Sequence, residues 1–333
     1  MLTIRPFRNE DTPRLLKLWQ HTQRCSDKFP PLPSLSLERL QSQVLGLPML
    51  DRRSLMLAFD EEVPVGYIHT TFAQDYAGHS FDYAVGHICF ICVDSTYSGA
   101  SDAASALVRA GEDYLMGLGA QTIFGGSPTP SAPFYSAIYG GGEAVAILHS
   151  DKTIVDAFHA ADYKIAHMTT QFHLDLRHYT PIITAETIGY GGEIEIEIRE
   201  VQKAKTWWEG CALAHGIWFD ATAFLARTNR PIAQLRARIT HPDTGNAVTM
   251  YDKTWLASLM ALRVHPSFDT EGIKKHLLDE TIQYLAAQNQ IIQAVAHTTD
   301  DSPLGGLLHS QCWQERGHGT VFVKNMESAK TAQ

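Results

Sequence analysis

Apolar and polar positions along this 333-residue chain follow one order of elements twice. Leu2–Pro6 reads as a short strand, and Asn9, Glu10 and Asp11 then supply capping and acidic residues. An amphipathic helix over Thr12–Gln20 follows, its apolar face built from Leu15, Leu16, Leu18 and Trp19. A proline-rich loop, Phe29–Pro33, precedes a second helix around Leu37–Leu45. Apolar runs predict strands at Ser54–Phe59, Val63–Phe72 and Tyr83–Val93, then a long helix from Gly99 to Leu118 that ends at Gly119. Gln121–Phe124 is a further short strand. A glycine-, proline- and serine-rich stretch, Gly125–Gly142, breaks the pattern before a helix at Thr153–Ala161 and a last hairpin ending near Leu176.

Arg177–Gly192, with Pro181, Gly189, Gly191 and Gly192, reads as a linker. Beyond it, Glu193–Arg199 alternates as a strand and a helix is expected over Val201–His215. Ile232–Ile239 and Ala247–Asp252 flank His241–Asn246, which carries strong hairpin chemistry. Trp255–Val264 is a strand, Gly272–Gln288 a helix and Ile291–His297 a strand. A helix near Pro303–Gln311 and a strand at Gly319–Lys324 close the order. Four parts follow: a first domain over 1–176, a linker over 177–192, a second domain over 193–325 and a tail over 326–333. The fold class is α+β, each half a mixed, mostly antiparallel sheet flanked by helices.

The repeat is sharpest where a strand runs through a loop into the long helix. Val93–Leu107 reads V-D-S-T-Y-S-G-A-S-D-A-A-S-A-L, and Val264–Leu278 reads V-H-P-S-F-D-T-E-G-I-K-K-H-L-L. Val93 and Val264 lie 171 residues apart, as do Leu107 and Leu278. An apolar strand feeding a loop whose amides open a helix is suited to holding phosphate. The duplication therefore gives two candidate phosphate sites.

Composition narrows the partners. With 44% hydrophobic residues the chain has material for two cores. Its formal charge of −9 argues against a nucleic-acid partner, which calls for a basic face, and suits a cationic acceptor. No stretch has the length of a membrane span, and a charged beginning, M-L-T-I-R-P-F-R-N-E-D, is unlike a secretion signal, so a cytoplasmic protein with no membrane partner is expected. Five scattered cysteines make no disulfide framework.

With strand, loop, helix, strand and helix in this order, both halves resemble the GNAT acyltransferase fold. That family's loop runs roughly V-x-P-x-[YF]-[RQ]-x-x-G-x-[GA]-x-x-L-L. Val264, Pro266, Phe268, Gly272, Leu277 and Leu278 match it in the second half, and Val93, Tyr97, Ala103 and Leu107 in the first. Pro133–Glu143, P-F-Y-S-A-I-Y-G-G-G-E, is similar to a segment of tandem GNAT proteins. The resemblance implies transfer of an acetyl group from acetyl-CoA, as cosubstrate, to an amine of a small molecule or peptide. No metal is implied. It also implies that strand and loop backbone hold the cofactor: Ile91, Cys92, Val93, Ser98, Gly99, Ala100, Ser101, Asp102 and Ala103 in the first half, and Val264, Gly272, Ile273 and Lys274 in the second. Ser98 and Asp269 stand where an Arg or Gln is usual, and Lys274 replaces the family's second glycine. A tandem chain of this kind is expected as a monomer with an intramolecular pseudo-dimer, or as a homodimer.

The family often uses a Glu on the strand before the loop as base and a Tyr on the last helix as acid. His87 falls near the base position and His159 where the Tyr would stand, while Tyr135 and Tyr139 are candidates to wall the acceptor pocket. The second half places Leu308 at the Tyr position, with His309 turned away on the helix, and its strand W-L-A-S-L-M-A-L-R-V carries no carboxylate or histidine. The first half is therefore favoured as the active one; the alternative is a non-catalytic acyl-CoA-binding or scaffold protein. Cys89-Phe90-Ile91-Cys92 is expected to point its thiols to opposite faces of a strand as core residues. His297–Asp301 reads as a strand end and helix cap, and Trp207-Trp208 as core at the contact between halves.

Overall fold

The structure, a computed structural model, describes residues 1–25, 35–126, 134–135, 146–177, 179–180, 192–213, 216–240, 255–288, 291–311 and 313–326. Tyr139, the strand expected at Ala247–Asp252 and most of the linker and tail lie outside them. The first half contains strands β1 (Leu2–Pro6), β2 (Leu55–Asp60), β3 (Val63–Gln74), β4 (Phe81–Val93), β5 (Thr122–Gly125), β6 (Ile147–Leu148) and β7 (Lys164–Asp175). Its helices are α1 (Thr12–Cys25), the short α2 (Leu37–Leu40), α3 (Ala100–Gly117) and α4 (Lys152–Ala160). The second half contains β8 (Ile194–Glu200), β9 (Ile217–Leu225), β10 (Arg230–Thr240), β11 (Trp255–Val264), β12 (Ile291–Thr299) and β13 (Gln314–Asn325), with helices α5 (Trp207–Leu213), α6 (Glu271–Ala286) and α7 (Pro303–Ser310). Among the described residues no helix is long and apolar enough to cross a membrane.

All thirteen strands join one mixed sheet, in the order β1-β2-β3-β4-β5-β13-β7-β12-β11-β10-β9-β8, with β6 on β13. The pairings cross the linker. β13 lies antiparallel between β5 and β7, and β7 between β13 and β12, so each half gives its last long strand to the other. The hairpin expected near Leu176 is therefore absent: β6 and β7 both pair with β13 instead of with each other. Lys324 on β13 reaches the buried Glu112 on α3 at 2.7 Å, tying the exchanged strand to the first half.

Helices cover the sheet where its strands turn an apolar face outward. α3 packs Ala103, Ala104, Leu107, Val108 and Leu115 onto β2–β5, and α6 packs Ile273, Leu277, Leu278, Ile282 and Leu285 onto the second half. On the opposite face of the first half, α1 buries Leu15, Leu18 and Trp19 against Tyr67, Phe90 and Cys92. Asp11 initiates α1: it is fully buried, accepts from Arg5 at 2.6 and 2.8 Å and from the Arg8 amide at 2.9 Å, and these donors hold its carboxyl down near 2. Trp208 on α5 is 1% exposed and meets Phe81 of the first half edge-on at 5.5 Å, so it belongs to the contact between halves.

Three further expectations need correction. Trp207, expected in the core beside Trp208, is exposed. Of the helix expected over Val201–His215, residues 201–206 are not helical and Trp207–Leu213 are, and β9, which the alternation did not disclose, lies beyond it. β10 pairs with β9 and with β11. The thiols of Cys89 and Cys92 do not face opposite sides. A bulge lets His69 pair with Phe90 but Thr70 with Ile88, and the extra residue, Cys89, shifts the alternation so that both thiols enter one core cluster. Neither forms a disulfide, and burial pushes the Cys89 thiol far up.

Candidate active site

β4 and β5 run parallel only from Val85↔Thr122 to Ile88↔Gly125. β4 continues to Val93, so from Cys89 onward its edge toward β5 has no strand partner among the described residues. The second half repeats this geometry at the same offset: Leu256↔Gln293 to Leu259↔Ala296 are paired, and β11 runs on to Val264. Even the bulges correspond, since Cys89 and Met260 are the residues skipped in the registers with β3 and β10. Each half thus opens a wedge between two parallel strands, with a loop and a helix N-terminus at its mouth.

The first loop leaves that N-terminus unsatisfied. Asp94 accepts from the Thr96 amide and hydroxyl and meets His21 at 3.2 Å, which fixes the turn leaving β4. Tyr97 and Ala100 amides bond within the loop, and Ala103 N–H reaches Gly99 O at 2.9 Å. Among the described residues, the amides of Ser98, Gly99, Ser101 and Asp102 take no acceptor, and Gly99 gives no side-chain cap. Gly99 sits against the Tyr97 ring; a Cβ there would fall 2.8 Å from the ring edge. Ser98, Ser101 and Asp102 are exposed, Gly99 and Ala100 half-buried, and Ala103 buried; Ile91, Cys92 and Val93 are buried on the strand. Four free amides converging at one helix start form an anion cradle, against which Asp102 places a negative charge.

The second loop satisfies more of itself. Thr270 caps α6 by accepting from the Ile273 amide at 3.4 Å, and Lys274 N–H bonds Thr270 O at 3.3 Å. The Lys274 ammonium is held by Asp269 at 2.8 Å, across the mouth of the loop. His265 is engaged by Arg230 at 2.9 Å and accepts from the Ser267 amide. Gly272 and Ile273 are buried, and Val264 is half-buried.

The proton-transfer candidates occupy separate places. His87 lies on β4 beside Phe124, its ring stacked at 5.5 Å, two positions before the wedge opens at Cys89. Both of its ring nitrogens are buried without a hydrogen-bond partner, and burial pushes its pKa down to about 4. His159 is exposed on α4 and meets Phe322 of β13 edge-on at 5.2 Å. Tyr135 is buried over the wedge with its ring stacked on Phe90 at 4.8 Å and its hydroxyl 3.1 Å from His69 Nδ1. Its φ of +55° is left-handed, a conformation costing a non-glycine residue about 1–2 kcal/mol. His309 is paired with Glu315 at 3.1 Å, and Leu308 is fully buried.

Sequence reasoning missed His69. It lies on β3 opposite Phe90, fully buried, and burial pushes its pKa down to about 3. Tyr67, His69 and Thr71 alternate onto one face of β3 and meet Cys92, Phe90 and His87 of β4 there, a register that the spacing along the chain does not give. A depression of about 230 Å³ lined by Glu197, Arg199, Asp220 and Thr222 lies on the outer strands of the second half. It touches neither loop.

No family model and no curated protein matches the sequence. Solved structures match the fold. A tandem GNAT protein from the clavulanic acid biosynthesis pathway is 10% identical, with a TM-score of 0.64, covering 97% of this chain and 98% of that one. A GCN5-related N-acetyltransferase from Sphaerobacter thermophilus is 12% identical, with a TM-score of 0.61, covering 97% and 95%. A glucosamine N-acetyltransferase region in a fungal multi-domain β-N-acetylglucosaminidase is 14% identical, with a TM-score of 0.68; this chain covers 38% of that protein. The chain has the tandem GNAT fold, α+β with a mixed sheet and flanking helices.

Proposed function

We propose that the protein is an acetyl-CoA-dependent N-acetyltransferase whose working site is in the first half. The observation that carries this reading is the β4 wedge: among the described residues, five residues of unpaired strand edge lead to four amides without acceptors at the start of α3. The unpaired edge suits an extended amide chain such as pantetheine, and the amides of Ser98, Gly99, Ser101 and Asp102 suit a pyrophosphate. A bound acetyl-CoA would supply the activated acetyl group there. A backbone N–H beside the Cys89 bulge then polarises the acyl carbonyl, a task that asks for no particular side chain. His87, neutral and unpartnered, is the group placed to take the acceptor's proton.

The second half, with its capped helix and its lysine tied to Asp269, serves as support: it supplies β13 to the first half's sheet. The rival reading is an acyl-CoA-binding protein without turnover. What favours it is the absence of a carboxylate among Cys89–Val93 of β4. Because the halves exchange strands, the test uses the whole chain. Calorimetric titration with acetyl-CoA is expected to give binding, and a thiol-release assay across an amine panel is expected to give turnover. Binding without turnover across the panel would support the rival, and no binding would end both readings.

A further inference from the structure

One face of the first half's sheet carries three imidazole nitrogens without partners. They are His69 Nε2 and both nitrogens of His87, all buried. His69 and His87 alternate onto the face that α1 covers, a cross-strand diagonal apart, on either side of the Cys89 bulge. Leaving such groups unsatisfied costs stability, and proteins keep few of them without a use. The strand residues around them are aromatic, thiol or hydroxyl: Tyr67, Thr71, Phe90, Cys92 and Phe124. None is acidic, so nothing on these strands would offset an ammonium ion placed among them.

Tyr135 shows what this face accepts. Its ring stacks on Phe90 at 4.8 Å and on Trp19 at 6.4 Å, and Trp19 lies 5.0 Å from Phe90, so the three rings pack as a cluster. Its hydroxyl reaches His69 Nδ1 at 3.1 Å. A flat ring bearing an uncharged polar hydrogen thus lies beside the opening of the wedge, held by the chain itself in a left-handed backbone conformation. We propose, building on the acetyltransferase reading above, that the acceptor is an aromatic amine that displaces Tyr135, stacks on Phe90 and donates its N–H to His69.

The chemistry agrees with the missing carboxylate. An aromatic amine is uncharged at neutral pH, so no base has to remove a proton before attack. Its nitrogen lone pair forms the C–N bond to the thioester carbonyl carbon as the C–S bond breaks. The nitrogen then loses its proton to His87, which passes it to the departing thiolate, giving free CoA thiol and the anilide.

Two amines that share an indole ring separate the alternatives on the full-length protein: 5-aminoindole, whose amine is uncharged, and tryptamine, which is an alkylammonium. With acetyl-CoA, kcat/KM for 5-aminoindole is expected to exceed that for tryptamine by about tenfold or more, the cost of an uncompensated charge or an unmade buried hydrogen bond. Tyr135→Phe, which frees His69 and keeps the ring, is expected to lower KM for 5-aminoindole severalfold with kcat little changed, and Tyr135→Ala to lower it further. Preference for tryptamine overturns the proposal. So does a folded Tyr135→Ala protein that binds acetyl-CoA but has lost turnover of 5-aminoindole. Quenching of tryptophan fluorescence by 5-aminoindole alone reports the same site without the cofactor, and a His69→Gln variant should weaken it. If acetyl-CoA fails to bind while that quenching persists, the cofactor reading fails and the aromatic pocket stands; if acetyl-CoA binds and neither quenching nor turnover of 5-aminoindole is seen, the aromatic acceptor is wrong and the cofactor reading stands.

Discussion

The two loop–helix junctions, Val93–Ala103 and Val264–Lys274, descend from the same geometry and have come to different ends. Their strands splay after corresponding last pairs, Ile88↔Gly125 and Leu259↔Ala296, and bulge at corresponding positions. In the first, the helix start is bare of caps and its glycine lies against Tyr97. In the second, Thr270 caps the helix and Lys274 is spent on Asp269. The second loop keeps more of the family's spelling, yet it offers a phosphate less. What decides whether a helix N-terminus can receive an anion is how many of its amides the chain has already satisfied.

The comparison can be broken first at Gly99. Gly99→Val would set side-chain atoms against the Tyr97 ring and displace the cradle. Acetyl-CoA affinity of the full chain is expected to fall by about 100-fold, equivalent to about 3 kcal/mol, as read by calorimetry. The fold should persist by circular dichroism.

A second contrast lies in buried carboxyls. Asp11 in the first half is held low by Arg5, whereas burial raises Asp279, on α6, to about 6. A carboxyl raised above its unfolded value leaves stability intact below about pH 4 and takes it away as pH rises through about 6. Asp279→Asn is therefore expected to stabilise the protein by about 2 kcal/mol at pH 7.5 and to make little difference at pH 4, as measured by denaturant unfolding. Asp11 has the opposite sign: the stability it contributes at neutral pH is lost as pH falls toward 2.

Smaller effects sharpen the picture. Thr270→Ala should cost about 1 kcal/mol in denaturant unfolding through loss of the α6 cap, with acetyl-CoA affinity unchanged. Asp102→Asn removes the negative charge beside the first cradle. It is expected to tighten acetyl-CoA binding about threefold at low salt and less at high salt.

Much of this was legible in the sequence, and the reasons for the gaps are local. The offset of 171 located both loops, because a duplicated strand–loop–helix keeps its spacing. β9 was hidden because its core-facing positions include Ala221 and Ala223, while Trp218 and Phe224 point the other way and blur the alternation. The Cys89 bulge inverts the facing of every later residue on β4, and nothing in the alternation announces one extra residue. The exchange of β7 and β13 left no local mark either, since a strand's pattern records which face is buried but not which neighbour it pairs with. At the site, His87 and the loop were readable from spacing. His69 and its bond to Tyr135, 66 residues away, were not.

The most direct test of the central claim is a count of acetyl-CoA sites on the intact chain. Calorimetric titration is expected to give one site per chain, unaffected by Lys274→Glu in the second loop and lost in Gly99→Val. Two sites per chain, or a single site that vanishes with Lys274→Glu and survives Gly99→Val, would contradict the account.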